Sequence, residues 1–300
     1  VSTADRYRRF ADLEARGESP CFEAWALGVA GDAEVVALLD TLPTAKRQPN
    51  LVFAAARYVG TSAGTYADLR ETLTSRWAAV RDVILTHRTQ TNEVGRCAIL
   101  LPLLAALPQP LALLEVGASA GLCLYPDRYS YRYDDRPMLG SSPVVIDCVT
   151  TGDVPVPAAL PEVVWRAGID VNPLDVRDAD TARWLETLVW PEHDVRRTRL
   201  GAALAVVRAE PPRIRRGDLN EEVAGLAAEA PADATLVIFH SAVLNYLEPD
   251  ARERFRTTVL GLDARWIANE GTGTDGMFLV SVDGTPVAHA APHGHTLHWH

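Results

Sequence analysis

Leu111-Ala112-Leu113-Leu114-Glu115-Val116-Gly117-Ala118-Ser119-Ala120-Gly121 is the stretch on which the reading of this chain turns. A short apolar run with no alternation reads as a strand buried on both faces, as in parallel sheets. Gly117 and Gly121 then let the backbone turn tightly with no Cβ in the way. Four further runs repeat the pattern: Val163–Ile169 ending at Asp170, Arg213–Arg216 ending at Gly217-Asp218, Thr235–Phe239 ending at His240, and Arg265–Ala268 ending at Asn269-Glu270. Helical patterns lie between them, at Ala179–Val189, His193–Arg208, Leu219–Glu229 and Pro249–Leu260. Such alternation predicts an α/β fold built on an open parallel sheet. Met277–Val282 and Thr296–His300 read as a terminal antiparallel hairpin, and Tyr129–Thr151 as an inserted β-hairpin.

Upstream of this stretch no segment alternates with period two. Residues 1–107 read as a helical cap domain, and Leu107-Pro108-Gln109-Pro110 as the linker to an α/β domain over 111–300. Asn92–Leu107 is the last of the expected helices. The longest apolar run, Cys97–Leu107, is shorter than the roughly 20 residues a membrane span needs and contains Pro102. No secretory pattern opens the chain, so the expectation is a cytoplasmic protein. The net charge of −10 disfavours a nucleic-acid partner. Lys46 is the only lysine, which removes a Walker A loop and disfavours Schiff-base chemistry. Cys21, Cys97, Cys123 and Cys148 stand too far apart for a CxxC knuckle.

Ligands of open α/β sheets bind at the carboxyl ends of the strands. Three chemistries compete for the first of these ends. A dinucleotide fingerprint needs glycine at 119 and 122, where Ser and Leu stand. Gly117-Ala118-Ser119-Ala120-Gly121 matches the nucleophile elbow GxSxG letter for letter, with Ser119 as nucleophile, but no upstream strands or His-Gly-Gly oxyanion loop accompany it. An S-adenosylmethionine loop, acidic-x-Gly-x-small-x-Gly after the first strand, fits Glu115, Gly117, Ser119 and Gly121. In that reading Asp170 accepts the ribose hydroxyls, Asp218 accepts from the adenine amino group, and His240 is the candidate catalytic base. A helix N-terminus after the loop is expected to offer free N–H groups to the ligand.

The whole chain resembles the domain-of-unknown-function family 2332, an actinobacterial group assigned to the methyltransferase-like superfamily. The segments that carry the resemblance include Gln48-Pro49-Asn50-Leu51, Thr91-Asn92-Glu93-Val94-Gly95-Arg96, Leu114–Leu122, Asp127-Arg128-Tyr129, Gly168–Asp175, Trp190-Pro191-Glu192, Arg216-Gly217-Asp218, Phe239-His240-Ser241 and Asn269-Glu270-Gly271. The resemblance implies a Rossmann-like methyltransferase fold and an S-adenosylmethionine site; the leading expectation for function is S-adenosylmethionine-dependent methyl transfer to a small molecule. Asn92, Glu93, Asp127, Tyr129, Asn269 and Glu270 are the candidates for the substrate pocket. Asn92, Glu93 and Arg96 at i, i+1 and i+4 are expected on one helix face, from which Arg96 reaches a ligand carboxylate. Tyr129, Tyr131 and Tyr133 suit an aromatic pocket wall, with packing on the helical domain away from any ligand as the alternative. His289, His293, His295, His298 and His300 read as a polar edge strand with no metal site assigned. A ligand-binding or scaffold protein of the same fold, and a Ser119 hydrolase, stay as alternatives.

Overall fold

The computed structural model describes residues 1–90, 92–272 and 276–300, so Thr91 of the family segments lies outside the described residues. By contacts the chain divides into Val1–Gln90 with Asp178–Thr198, and Thr91–Arg177 with Arg199–His300. The division therefore does not follow the Leu107–Pro110 linker. The segment 91–107 belongs to the second unit, and 178–198 returns to the first.

The first unit is helical: Thr3–Phe10, Pro20–Gly31, Ala33–Asp40, Pro49–Val59, Tyr66–Ser75, Trp77–Thr86 and Ala179–Leu188. Its starts are chemically marked. Ser19 caps the helix that begins at Pro20 through the Phe22 amide at 3.1 Å, and Asp32 caps the next through the amides of Glu34 and Val35. Phe22, Trp25, Phe53 and Trp190 meet at ring-centroid distances of 5.0–5.6 Å and form the centre of its core. Trp190 arrives from the returning segment, which no local sequence pattern announces.

The second unit holds one ten-stranded sheet. Its strands are β1 Leu111–Val116, β2 Ser130–Tyr133, β3 Val145–Thr151, β4 Val163–Asp170, β5 Arg213–Arg216, β6 Thr235–Ser241, β7 Arg265–Gly271, β8 Phe278–Val282, β9 Thr285–Ala290 and β10 Thr296–Trp299, in spatial order β2-β3-β10-β9-β8-β7-β6-β1-β4-β5. The five runs expected as parallel strands pair in parallel, with β1 flanked by β4 on one side and β6 on the other. The order reverses at β1, where a ligand crevice opens in such sheets. Helices Leu219–Ala227 and Pro249–Leu260 cover one face and bury Leu114, Val116, Ile169 and Ile238. Among the described residues no helix is long and apolar enough to cross a membrane.

Three expectations are corrected. The Tyr129–Thr151 insertion is not a hairpin, since β2 and β3 pair in parallel with Ser130 opposite Val145. The connection 134–144 is longer than a hairpin loop, and Leu139 runs back beside Tyr131 before β3 begins. No α-helix follows the β1 loop; only 3₁₀ turns at Leu122–Leu124 and Pro126–Arg128 do. The terminal pair is a three-strand meander, because β9 stands between β8 and β10. The histidine-bearing β10 is thus an inner strand, held by β9 and β3.

The β8–β9 turn is Asp283-Gly284, with φ of 50° and 80°, as the tightest hairpin turn requires. A Cβ at Gly284 meets the end of Arg256 at 3.4 Å and the Trp266 ring at 4.0 Å, both ordinary contact distances, so the backbone conformation decides the cost of adding one. Gly284→Ala is predicted to destabilise the protein by about 1–2 kcal/mol in urea unfolding. A change near zero would contradict this turn.

Candidate functional site

Strand alternation and register bring the site together. Glu115 stands opposite Phe239, and Ser241 opposite Asn269, so these four side chains share one face of β1, β6 and β7. The segment Asn92–Arg96 and helix Cys97–Ala105 cover that face. Between them lies a cavity of ≈30 Å³ lined by Asn92, Glu93, Arg96, Glu115, Ser241 and Asn269, with Leu100, Leu122, Cys123 and Phe239 as its apolar part. That is room for a water or two, or for the small polar end of a larger ligand.

The electrostatics of this cavity are unbalanced. Glu115 is 7% exposed, and its Oε2 has no hydrogen-bond partner among the described residues. Burial pushes its carboxyl well above the ordinary range; Cys123 and Asp170 push the same way and Arg96 opposes them. Asn269 gives its Nδ2 to Ser241 Oγ at 2.8 Å, while its buried Oδ1 has no donor among the described residues. Two acceptors without donors therefore line one small cavity. Glu93 is satisfied, accepting from the Gly95 amide at 2.9 Å and from Arg199 at 2.8 Å. Arg96 is buried and donates Nε to the Pro292 carbonyl and Nη1 to the Ser241 carbonyl, at 3.0 and 3.1 Å. Two of its five N–H donors are used in this way.

The glycine loop is closed on itself. Gly117 and Ala118 donate to the Ile169 carbonyl, Ser119 N to Asp170 Oδ2 at 2.7 Å, Ala120 N to Asn92 Oδ1 at 3.1 Å, and Gly121 N to the Ala118 carbonyl. Asn92 Nδ2 also reaches Ser119 Oγ at 2.9 Å. Gly117 and Gly121 have φ of 72° and 73°, and Ser119 has 51°. A Cβ on Gly117 would run into the methyls of Val243. The expected fan of free N–H groups is absent from this loop, because its amides already have protein acceptors.

Several expected site residues hold the structure together. Asp170 spends its oxygens on the amides of Ser119 and Asn172, so it clamps the loop. Asp218 is exposed and caps helix Leu219–Ala227 through the Asn220 amide. Asp127 forms a two-pronged pair with Arg166 at 2.9 and 3.1 Å. Tyr129, Tyr131 and Tyr133 are buried with their hydroxyls on the carbonyls of Leu122, Pro126 and Ala98, so they are core residues and form no pocket wall. Glu93 precedes the helix and caps the 3₁₀ turn Val94–Arg96, so Asn92, Glu93 and Arg96 do not share a helix face.

His240 is corrected as a base. The sequence pattern puts it past the strand end, but β6 runs on to Ser241, and alternation turns His240 to the face opposite Glu115. There it is fully buried beside Phe255. The Trp266 indole donates to Nε2 at 3.0 Å, so Nδ1 carries the proton and donates to Glu270 Oε1 at 2.7 Å. Glu270 also accepts from the amides of Val243 and Leu244. Burial raises the Glu270 carboxyl, but these bonds outweigh it and leave the group below the ordinary range. Glu270 thus positions the loop whose Val243 lies against Gly117.

Sequence reasoning did not find Ser241, Phe239, Cys123 or Arg199. The alternation 239–241 was the available signal for the first two, once β6 is extended. Arg199 meets Glu93 from 106 residues away, which no local pattern shows. Among the described residues no group of three or more His, Cys, Asp or Glu side chains is arranged to hold a metal ion. His289 and His300 form a nitrogen–nitrogen contact of 2.8 Å instead.

The family model "Uncharacterized protein conserved in bacteria (DUF2332)" matches residues 4–299, so the chain belongs to that family. Neither a curated protein nor a solved structure matches it.

Glu115 supplies a stability prediction. Its carboxyl is raised in the folded state, so its contribution is most favourable below the unfolded-state value and is lost as pH rises toward the folded one. Glu115→Gln is therefore predicted to stabilise the protein progressively from pH 5 to pH 8. The limiting slope is about 1.4 kcal/mol per pH unit. A stability difference that stays flat with pH would show the carboxyl to be unstrained.

Proposed function

We propose that this family member binds S-adenosylmethionine at the β1 loop and transfers its methyl group to a small molecule, on a Rossmann-like methyltransferase fold. The observation that carries the reading is the pair of donor-starved acceptors, Glu115 and Asn269, beside Arg96 at the switch point of the sheet. An α-amino acid end carries the complementary pair of charges. Glu115 and Asn269 suit its ammonium, and the remaining donors of Arg96 suit its carboxylate. The parallel block, numbered along the chain, runs third-second-first-fourth-fifth, the order shared by doubly wound nucleotide-binding sheets. When bound, S-adenosylmethionine supplies an electrophilic methyl on a sulfonium centre. The chain's own part is to bind and orient, and that positioning is worth up to roughly 7–11 kcal/mol. His240, with both ring nitrogens engaged, is assigned no proton transfer.

The closed loop bears on the alternatives. The Ala120 amide, which a Ser119 hydrolase would aim at its oxyanion, donates to Asn92, and the His240 ring lies on the other face of the sheet. A binding protein without turnover is the second reading, and the sequestered His240 favours it.

The test is a thermal melt with S-adenosylmethionine and with its demethylated product. Ligand at 100 times its dissociation constant is predicted to add about 2.7 kcal/mol of stability. Arg96→Lys, which keeps the charge but loses the fork, is predicted to weaken binding by at least about tenfold. A melt unmoved by millimolar ligand would sink the proposal. Binding without methyl transfer to any member of an acceptor panel would select the second reading.

A further inference from the structure

We propose that the cavity takes an ammonium group against Glu115 and Asn269, and that Glu115, which holds a proton in the ligand-free protein, releases it to solvent as that ammonium enters. This rests on the S-adenosylmethionine reading for the choice of probe.

A carboxylate needs donors, water or a counter-charge, and a charge taken from water without them is strongly disfavoured. Glu115 lies on a central strand, walled by Leu100, Leu122 and Phe239, with Oε2 unpartnered among the described residues. The charged and titratable groups around it do not supply a partner. Arg96, from the covering segment, turns Nε and Nη1 to the carbonyls of Pro292 and Ser241. Glu93 of the same segment is neutralised by Arg199. Asp170, from β4, adds negative charge across the loop, and the Cys123 thiol from the 3₁₀ turn adds none that is favourable. Cys97, at the start of the covering helix, is buried and neutral, its thiol raised by burial. Glu270 faces the other side of the sheet and is committed to His240. The neutral acid is the form this surrounding favours.

An incoming ammonium reverses the balance. It brings three donors and a full positive charge to Glu115 and to the Asn269 oxygen. The carboxyl O–H bond then breaks, its electron pair stays on the carboxylate, and the proton leaves to bulk water. The ammonium keeps its own protons. The cavity consequently selects a cation at this position and couples its arrival to pH.

Calorimetric titration of the intact protein with S-adenosylmethionine at pH 6.5, in two buffers of different ionisation heat, reads the proton directly. At that pH the free ligand's amino group is mostly charged, by the ordinary α-amino range. The expected result is release of close to one proton per ligand bound. Affinity should rise toward about tenfold per pH unit from pH 5.5 to 6.5. Glu115→Gln, isosteric and neutral, should bind more weakly and show heats that are the same in both buffers. Wild-type binding with no proton released, or release that persists in Glu115→Gln, overturns the proposal and leaves the ligand reading standing. No binding by the folded wild-type protein overturns the ligand reading, and this proposal with it.

Discussion

A buried carboxyl oxygen with no donor among the described residues is the constraint on which the reading of the second unit rests. Glu115 sits on β1, the strand at which the sheet order reverses, and is 7% exposed. Folding alone does not explain it, because an apolar side chain of similar size would pack there without the cost of desolvating an acid. Its neighbours avoid neutralising it. Arg96 is drawn off by two carbonyls, and the nearby Glu93 has its own cation in Arg199. On the proposed reading, these unsatisfied acceptors in a small cavity await a donor-rich ligand.

The surrounding parts make the site rigid. Asp170 and Asn92 take the amides of Ser119 and Ala120, which fixes the left-handed turn at Ser119. On the opposite face, Trp266, His240 and Glu270 form a hydrogen-bonded chain that ends on the amides of Val243 and Leu244. Val243 then packs where Gly117 has no Cβ. Residues first read as ligand contacts therefore act one layer further out. They hold the β1 loop in place through its amides and through Val243.

How far this was legible in the sequence depends on the range of each interaction. Four of the five parallel strands were visible as short, mostly apolar runs, because burial is a local property of composition; β5, Arg-Ile-Arg-Arg at the sheet edge, carries only one apolar residue and was marked mainly by the Gly217-Asp218 that ends it. The glycine loop was visible for the same reason. β9 was not, since Pro286 weakens the strand pattern although Asp283-Gly284 announces a hairpin turn. The parallel pairing of β2 and β3 depends on β10, far along the chain. The role of His240 was lost through a small error in the end of β6, because each residue of a strand changes face. The clamp of Asn92 on Ser119 and the pair Glu93–Arg199 span 27 and 106 residues and leave no local trace.

A crystal structure of the protein grown with S-adenosylhomocysteine tests the central claim most directly. The amino-acid end of the ligand is expected in the cavity, its nitrogen on Glu115 and Asn269 and its carboxylate on Arg96. Ligand density elsewhere in the molecule, or a cavity that holds only water at saturating ligand, would contradict it.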